Sequence, residues 1–266
     1  MDKRYINTIK SAVDATVVLR TTYAIEPRLT KQRSAASYAV IVDAALSGDR
    51  TISNRPYYID ATRLLFVLTS GSELPRINTQ GEIGVFAGET KLNAWDFWMR
   101  YPDYLADELI EQYDKTGDDD MLARAEQIFI DSEPDQRRLA MIRYRYGAYE
   151  KHDDALAILV SAELIGIGGR KDVDRVIETD FLIYQKAFDL CVQIVRDEPI
   201  LTWYRDRANL VKTIADGRGG SALKKRQYER VDYAKTLLGG EIPSIDADVK
   251  QRLERRLKRP VGGTAA

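Results

Sequence analysis

Ile165-Gly166-Ile167-Gly168-Gly169, followed closely by Val173-Asp174-Arg175-Val176-Ile177, is the stretch on which the fold expectation turns. Paired glycines between two β-branched runs signal a hairpin, with the turn at Gly168-Gly169. Upstream, apolar periodicity predicts helices over 121–131, 134–143 and 153–164. Three short helices followed by a two-stranded ribbon is the order of a winged helix-turn-helix. The expected class is therefore mainly α, with a helical N-terminal region, a winged helix-turn-helix domain and C-terminal helices.

On the N-terminal side, apolar stripes predict helices over 4–20 (Ile6, Ile9, Val13, Val17) and 28–47 (Ala36, Val40, Val42, Leu46). Asp60 is placed to cap a third helix through Leu64, Leu65 and Leu68. A glycine-rich loop with a short strand at 83–86 leads to a helix capped by Thr90. Pro102 suits the first turn of the next helix because its backbone angle is already fixed. Gly117-Asp118-Asp119-Asp120 breaks the chain, with Asp120 as the cap of the following helix.

On the C-terminal side, helices are expected from Phe181 to Val195 and from Leu201 to Ala215. Ser221 would cap another, and a basic helix lies after Asp246. The expected division is a helical region over 1–118, the winged domain over 119–180, C-terminal helices over 181–259 and a disordered tail over 260–266.

Composition narrows the function. A net charge of −1 with 30% charged residues excludes a polybasic nucleic-acid binder, so any electrostatic role is local. A single cysteine, Cys191, excludes a disulfide framework and reads as a buried structural thiol. No run approaches the ~20 uncharged residues that a bilayer crossing needs, so a soluble cytoplasmic protein without membrane partners is expected.

Catalysis or metal binding requires a constellation of groups, and few are visible. His152, the only histidine, sits beside Asp153 and Asp154 and reads as a surface residue at a helix start. Asp118-Asp119-Asp120 lacks the alternating oxygens and distal glutamate of a calcium loop, so a solvated cap is the better account. Gly217-Arg218-Gly219-Gly220-Ser221 lacks the Gly-Lys-Ser/Thr ending of a phosphate loop and follows a helix, not a strand. No catalytic residue, metal ligand or cofactor is expected, and the chain reads as a non-enzyme.

Charge is distributed unevenly. Residues 89–120 hold ten acids against Lys91, Arg100 and Lys115, whereas Arg143, Arg145, Lys151, Arg170, Lys171 and Arg175 flank the expected recognition helix and wing. These six are the candidates for contact with DNA phosphate or with a partner. Further basic groups occur at 218–230 and 250–259. The expected recognition helix, Asp153 to Val160, carries no Arg, Asn or Gln to read base edges. That favours a protein-docking winged helix with non-specific phosphate contact through its wing. The aromatic run 95–104 has two readings: Trp95 and Met99 as core, and Phe97, Trp98, Arg100, Tyr101 and Tyr104 as anchors of a partner interface.

Three segments carry a family likeness: Thr90-Lys91-Leu92-Asn93-Ala94-Trp95-Asp96-Phe97-Trp98-Met99-Arg100-Tyr101-Pro102-Asp103-Tyr104-Leu105-Ala106, Met141 to Tyr149, and Gly220-Ser221-Ala222-Leu223-Lys224-Lys225-Arg226-Gln227-Tyr228-Glu229. Over roughly residues 85–240 the chain resembles the middle component of bacterial three-component ABC-ATPase antiphage systems, the Lamassu-like group. The resemblance implies a winged-helix accessory subunit that docks on an SMC-like ABC ATPase and couples DNA sensing to a separate effector, such as a nuclease. A free-standing winged-helix transcriptional regulator is the alternative.

Overall fold

The computed structural model describes residues 57–78, 80–145, 147–172 and 175–263. The helices expected over 4–20 and 28–47 lie outside the described residues. The protein is mainly helical with small antiparallel sheets, and its described residues fall into two compact units, 57–87 with 151–205 and 88–150 with 206–263. The chain passes between the units after Ala87, after Glu150 and within a helix after Arg205. Among the described residues, no helix is long and apolar enough to cross a membrane.

The first unit begins with α1 (Tyr57–Gly71), buried on all sides from Asp60 to Thr69, as expected of a helix whose apolar residues are not confined to one stripe. Strand β1 (Gly84–Ala87) follows. The chain returns to this unit with α6 (Asp153–Ser161), β4 (Ile165–Asp172), β5 (Arg175–Ile183) and α7 (Gln185–Asp197). The sheet order is β1-β5-β4, all antiparallel, with Phe86 directly opposite Phe181 and their rings 6.4 Å apart edge to face. Leu64, Leu65, Phe66, Leu159, Ile183 and Ile194 complete the core.

The second unit holds α2 (Glu89–Arg100), α3 (Pro102–Thr116), α4 (Asp119–Ile130), the one-turn α5 (Glu133–Gln136) and the hairpin β2 (Ile142–Tyr144) and β3 (Gly147–Tyr149). It also holds most of α8 (Thr202–Ala215), with α9 (Gly220–Gln227), α10 (Val231–Lys235) and α11 (Asp246–Leu257). Pro102 opens α3, and Gly117 at φ 69° ends it with its amide on Tyr113 O. Its core is aromatic: Phe97 stacks on Tyr101 at 4.6 Å and meets Tyr104 and Tyr233 edge to face at 5.0 and 5.2 Å.

Several expectations are corrected. The units are discontinuous, so no boundary falls at 118–119 or at 180–181; strand pairing joins β1 to β5 across the intervening segment. The expected helix over 134–143 is one turn followed by β2, because its backbone groups are taken elsewhere. Arg100 donates to Leu139 O at 3.1 Å and Ala140 O at 2.7 Å, and the Arg143 amide donates to Gly240 O at 2.8 Å. Helix α6 ends at Ser161, before the left-handed Glu163 at φ 58°.

The hairpin turn is not at Gly168-Gly169. Both lie inside β4, and the last paired residues are Asp172 and Arg175. Gly169 is required there by close approach, since a Cβ would lie 2.3 Å from Glu178 O. Residues 181–183 extend β5 and do not begin a helix. Asp118, not Asp120, caps α4, accepting the Asp120 amide at 3.0 Å. Gly88 and Gly219, not Thr90 and Ser221, precede α2 and α9. In the expected disordered tail, the Gly262 amide donates to Glu126 at 2.9 Å; residues 264–266 lie outside the described residues.

Candidate nucleic-acid interface

The β4–β5 hairpin is longer than the sheet that supports it. Strand β1 pairs with β5 only as far as Asp180, while β4 and β5 continue from Gly169↔Thr179 to Asp172↔Arg175, with a bulge after Arg170. In register, Arg170, Lys171 and Arg175 occupy this outer segment. At the inner end, the Tyr184 amide donates to Leu164 O at 3.1 Å and Lys186 Nζ to Ala162 O at 2.8 Å, fixing the hairpin base against the end of α6.

Helix α6 buries Ala155, Leu156, Ala157 and Leu159, and its half-buried positions are Asp153, Asp154, Ile158, Val160 and Ser161. An acidic and aliphatic face offers no cation to phosphate and no Arg, Asn or Gln to base edges. His152, expected at the surface, is buried at 6% exposure before this helix.

The six basic candidates do not share one unit. Arg143 and Arg145 belong to the second; Lys151, Arg170, Lys171 and Arg175 belong to the first. Arg143 is half-buried, donates to Thr236 O, and lies 5.3 Å from the Tyr228 ring centroid, so it is a structural clamp. Arg145 is exposed at the β2–β3 turn. Lys151 is exposed and pairs with Asp153 at 3.5 Å, an arrangement that contributes little to stability.

The proposed interface anchors are core. Phe97, Trp98, Arg100, Tyr101 and Tyr104 are all 3% exposed or less. Arg100 is buried as an ion, paired with Glu150 at 2.9 Å and Asp96 at 3.5 Å in addition to its two carbonyls. Such burial requires every donor to be spoken for, which makes Arg100 a strut of the second unit and removes it from any surface.

The charge asymmetry also resolves within the second unit. Residues 88–150 carry fifteen acids and eight bases, and 206–266 carry eight acids and fourteen bases. Asp107 pairs with Arg230 at 3.2 Å and with Arg252; Glu108 holds Arg226 at 2.9 Å, which also reaches Glu111 and Glu229. Asp114 takes both arms of Arg256 at 2.9 Å, and Glu126 pairs with Arg259. Burial dominates the deeper carboxyls: it raises Asp103 and Asp107 and pushes Glu108 up to about 7 against the opposing pull of Arg226. At the periphery, Arg256 lowers Asp114 and Arg259 lowers Glu126. A partial sequence signal for this match exists in the same-face spacing of Asp107 and Asp114 on α3 and of Arg252 and Arg256 on α11, which pair in that order.

Other sequence motifs take structural places. Arg218 donates to Ile214 O and Ala215 O at the end of α8, with Gly217 at φ 67°, so the glycine-rich segment is a helix stop. Asp120 pairs with Arg124 at 2.6 Å. The Cys191 thiol contacts Thr69 Oγ1 at 3.4 Å, and burial pushes it up to about 12, which keeps it from acting as a nucleophile near neutral pH. Among the described residues, no group of three or more His, Cys, Asp and Glu is arranged to hold a metal ion. No family model, curated protein or solved structure matches this chain.

Proposed function

We propose that the protein is a non-catalytic accessory subunit of a complex built on an SMC-like ABC ATPase, as in three-component antiphage systems. In this reading it docks on the ATPase, touches DNA non-specifically through the β4–β5 wing, and relays occupancy to a separate effector. The carrying observation is the order α6, β4, β5 in one compact unit, with a hairpin that outruns β1 and bears Arg170, Lys171 and Arg175 in its outer register. A helix followed by a long basic ribbon supports a winged-helix reading centred on residues 57–87 and 151–183. Phosphate contacts position a protein on a duplex without reading its sequence, and α6 carries no Arg, Asn or Gln for base edges.

Coexpression with an SMC-like ATPase encoded beside it tests the assembly. The expected result is co-elution of the two in size exclusion; separate elution of both folded proteins overturns the proposal. Tight binding to one palindromic duplex would instead favour the transcriptional regulator.

A further inference from the structure

The second unit has a surface cavity of about 200 Å³ that the wing-based reading leaves unused. Its walls come from three elements: Glu89 and Asn93 on α2, Tyr144 and Tyr149 on the hairpin, and Lys224 and Gln227 on α9. The space is smaller than the roughly 300–1,000 Å³ of pockets for drug-sized ligands, and suits one flat ring system.

Each wall has a distinct chemistry. Tyr144 is 51% exposed and lies 5.3 Å from Tyr149, ring to ring, so an aromatic surface lines one side. Gln227 is committed to the fold: its Nε2 donates to Ala94 O at 3.0 Å and its Oε1 accepts from the Tyr233 hydroxyl at 3.4 Å. Asn93 is different. Its Nδ2 donates to Glu89 O at 3.1 Å, while its buried Oδ1 accepts no hydrogen bond. A buried acceptor without a donor is costly, and it is relieved by an incoming N–H. Glu89 adds a carboxylate, and Lys224, whose ammonium lies 5.8 Å from the Tyr228 ring centroid, adds a cation.

A flat π-face and an N–H edge together describe a nucleobase with an exocyclic amine. We propose that this cavity binds a single adenine, cytosine or guanine base, presented by a nucleic-acid strand or by a free nucleotide, with Tyr144 stacking on the base and Asn93 accepting from its amine. Thymine and uracil turn a carbonyl where the amine would be, placing two acceptors together. The site belongs to the second unit and its argument does not depend on the wing, which belongs to the first.

Fluorescence anisotropy of the full chain with labelled (dA)12, (dC)12 and (dT)12 at fixed salt tests the proposal. (dA)12 and (dC)12 are expected to bind more tightly than (dT)12. Tyr144→Ala is expected to weaken (dC)12 binding about tenfold, in line with the loss of one stacked base, and Tyr144→Phe to retain it. Asn93→Ala is expected to remove the preference for (dC)12 over (dT)12. Competition by CMP or AMP at concentrations comparable to the oligonucleotide assigns the site to free nucleotides; competition only by oligonucleotides assigns it to a strand. Equal affinity for (dC)12 and (dT)12, or wild-type affinity in Tyr144→Ala, overturns the proposal. Charge reversal at Arg170, Lys171 and Arg175 would weaken all three oligonucleotides alike and leave the base preference intact, so failure of the wing and failure of the cavity are distinguishable.

Discussion

The hydroxyl of Tyr101 accepts the backbone amide proton of Met141 at 2.9 Å and donates its own proton to Ile242 O at 3.0 Å. One buried phenol thereby ties α2 to two segments lying 40 and 141 residues further along. Burial raises its pKa, so it stays protonated and keeps donating. Tyr101→Phe leaves a buried amide and a buried carbonyl unpaired and is expected to cost about 1–3 kcal/mol in chemical denaturation. A loss below a few tenths of a kcal/mol would contradict the tie.

Glu133 and Arg207 form a buried ion pair in the second unit, with side chains 3% and 6% exposed. Removing either partner strands a charge, so Glu133→Ala and Arg207→Ala are each expected to destabilise by about 3–5 kcal/mol. The double replacement Glu133→Ala with Arg207→Ala is expected to be milder than the sum of the single losses, as measured by a double-mutant cycle.

Glu108 sets a pH dependence. Its carboxyl lies at about 7 in the fold against 4.5 in an unfolded chain, because burial disfavours the ion. Between those values the folded state binds more protons than the unfolded state, so the linked stability is present below pH 4.5 and is lost as pH rises to 7. The loss is on the order of 3 kcal/mol. Glu108→Gln is expected to flatten this part of the stability profile; an unchanged slope would show that Arg226 keeps Glu108 ionised throughout.

Gly220 lets α9 begin against α2. A Cβ there would lie 2.6 Å from the Lys91 nitrogen and 2.9 Å from the Thr90 carbonyl carbon, both backbone atoms that cannot swing aside. Gly220→Ala is expected to cost about 1–3 kcal/mol by forcing the helices apart. Thermal unfolding at the wild-type midpoint would refute this close packing.

For the wing, replacing Arg170, Lys171 and Arg175 with Glu should reduce duplex affinity. If all three touch phosphate, the slope of log affinity against log salt is expected to fall by about 2.7, since each contact contributes about 0.9. An unchanged slope would remove the wing from the DNA contact.

Local punctuation was legible. Pro102 opens a helix, Gly117 closes it, Gly217 stops α8, and a helix does precede a hairpin after residue 153. What misled was the neighbourhood of each segment. Residues 134–143 read as a helix, but Arg100, Tyr101 and Gly240 claim backbone groups within them. The basic groups at 218–230 and 250–259 fit nucleic acid and an ordinary charged face equally well from sequence, and Arg226, Arg230, Arg252 and Arg256 are matched to the carboxylates of α3. The tyrosine-lined cavity left no linear signal, because its walls are more than 40 residues apart in the chain.

The sequence by itself determined a mainly helical chain, the starts and stops that depend on one residue's backbone angle, and the aromatic content that fills the second core. These are short-range effects, set by sterics and hydrogen bonding within a turn or two. Only the tertiary structure decided that residues 57–87 and 151–205 form one unit, that the acidic and basic stretches neutralise each other, and that Phe97, Trp98 and Tyr101 are buried. Strand pairing, ion pairing and burial depend on which distant segments meet, and linear spacing does not carry that information.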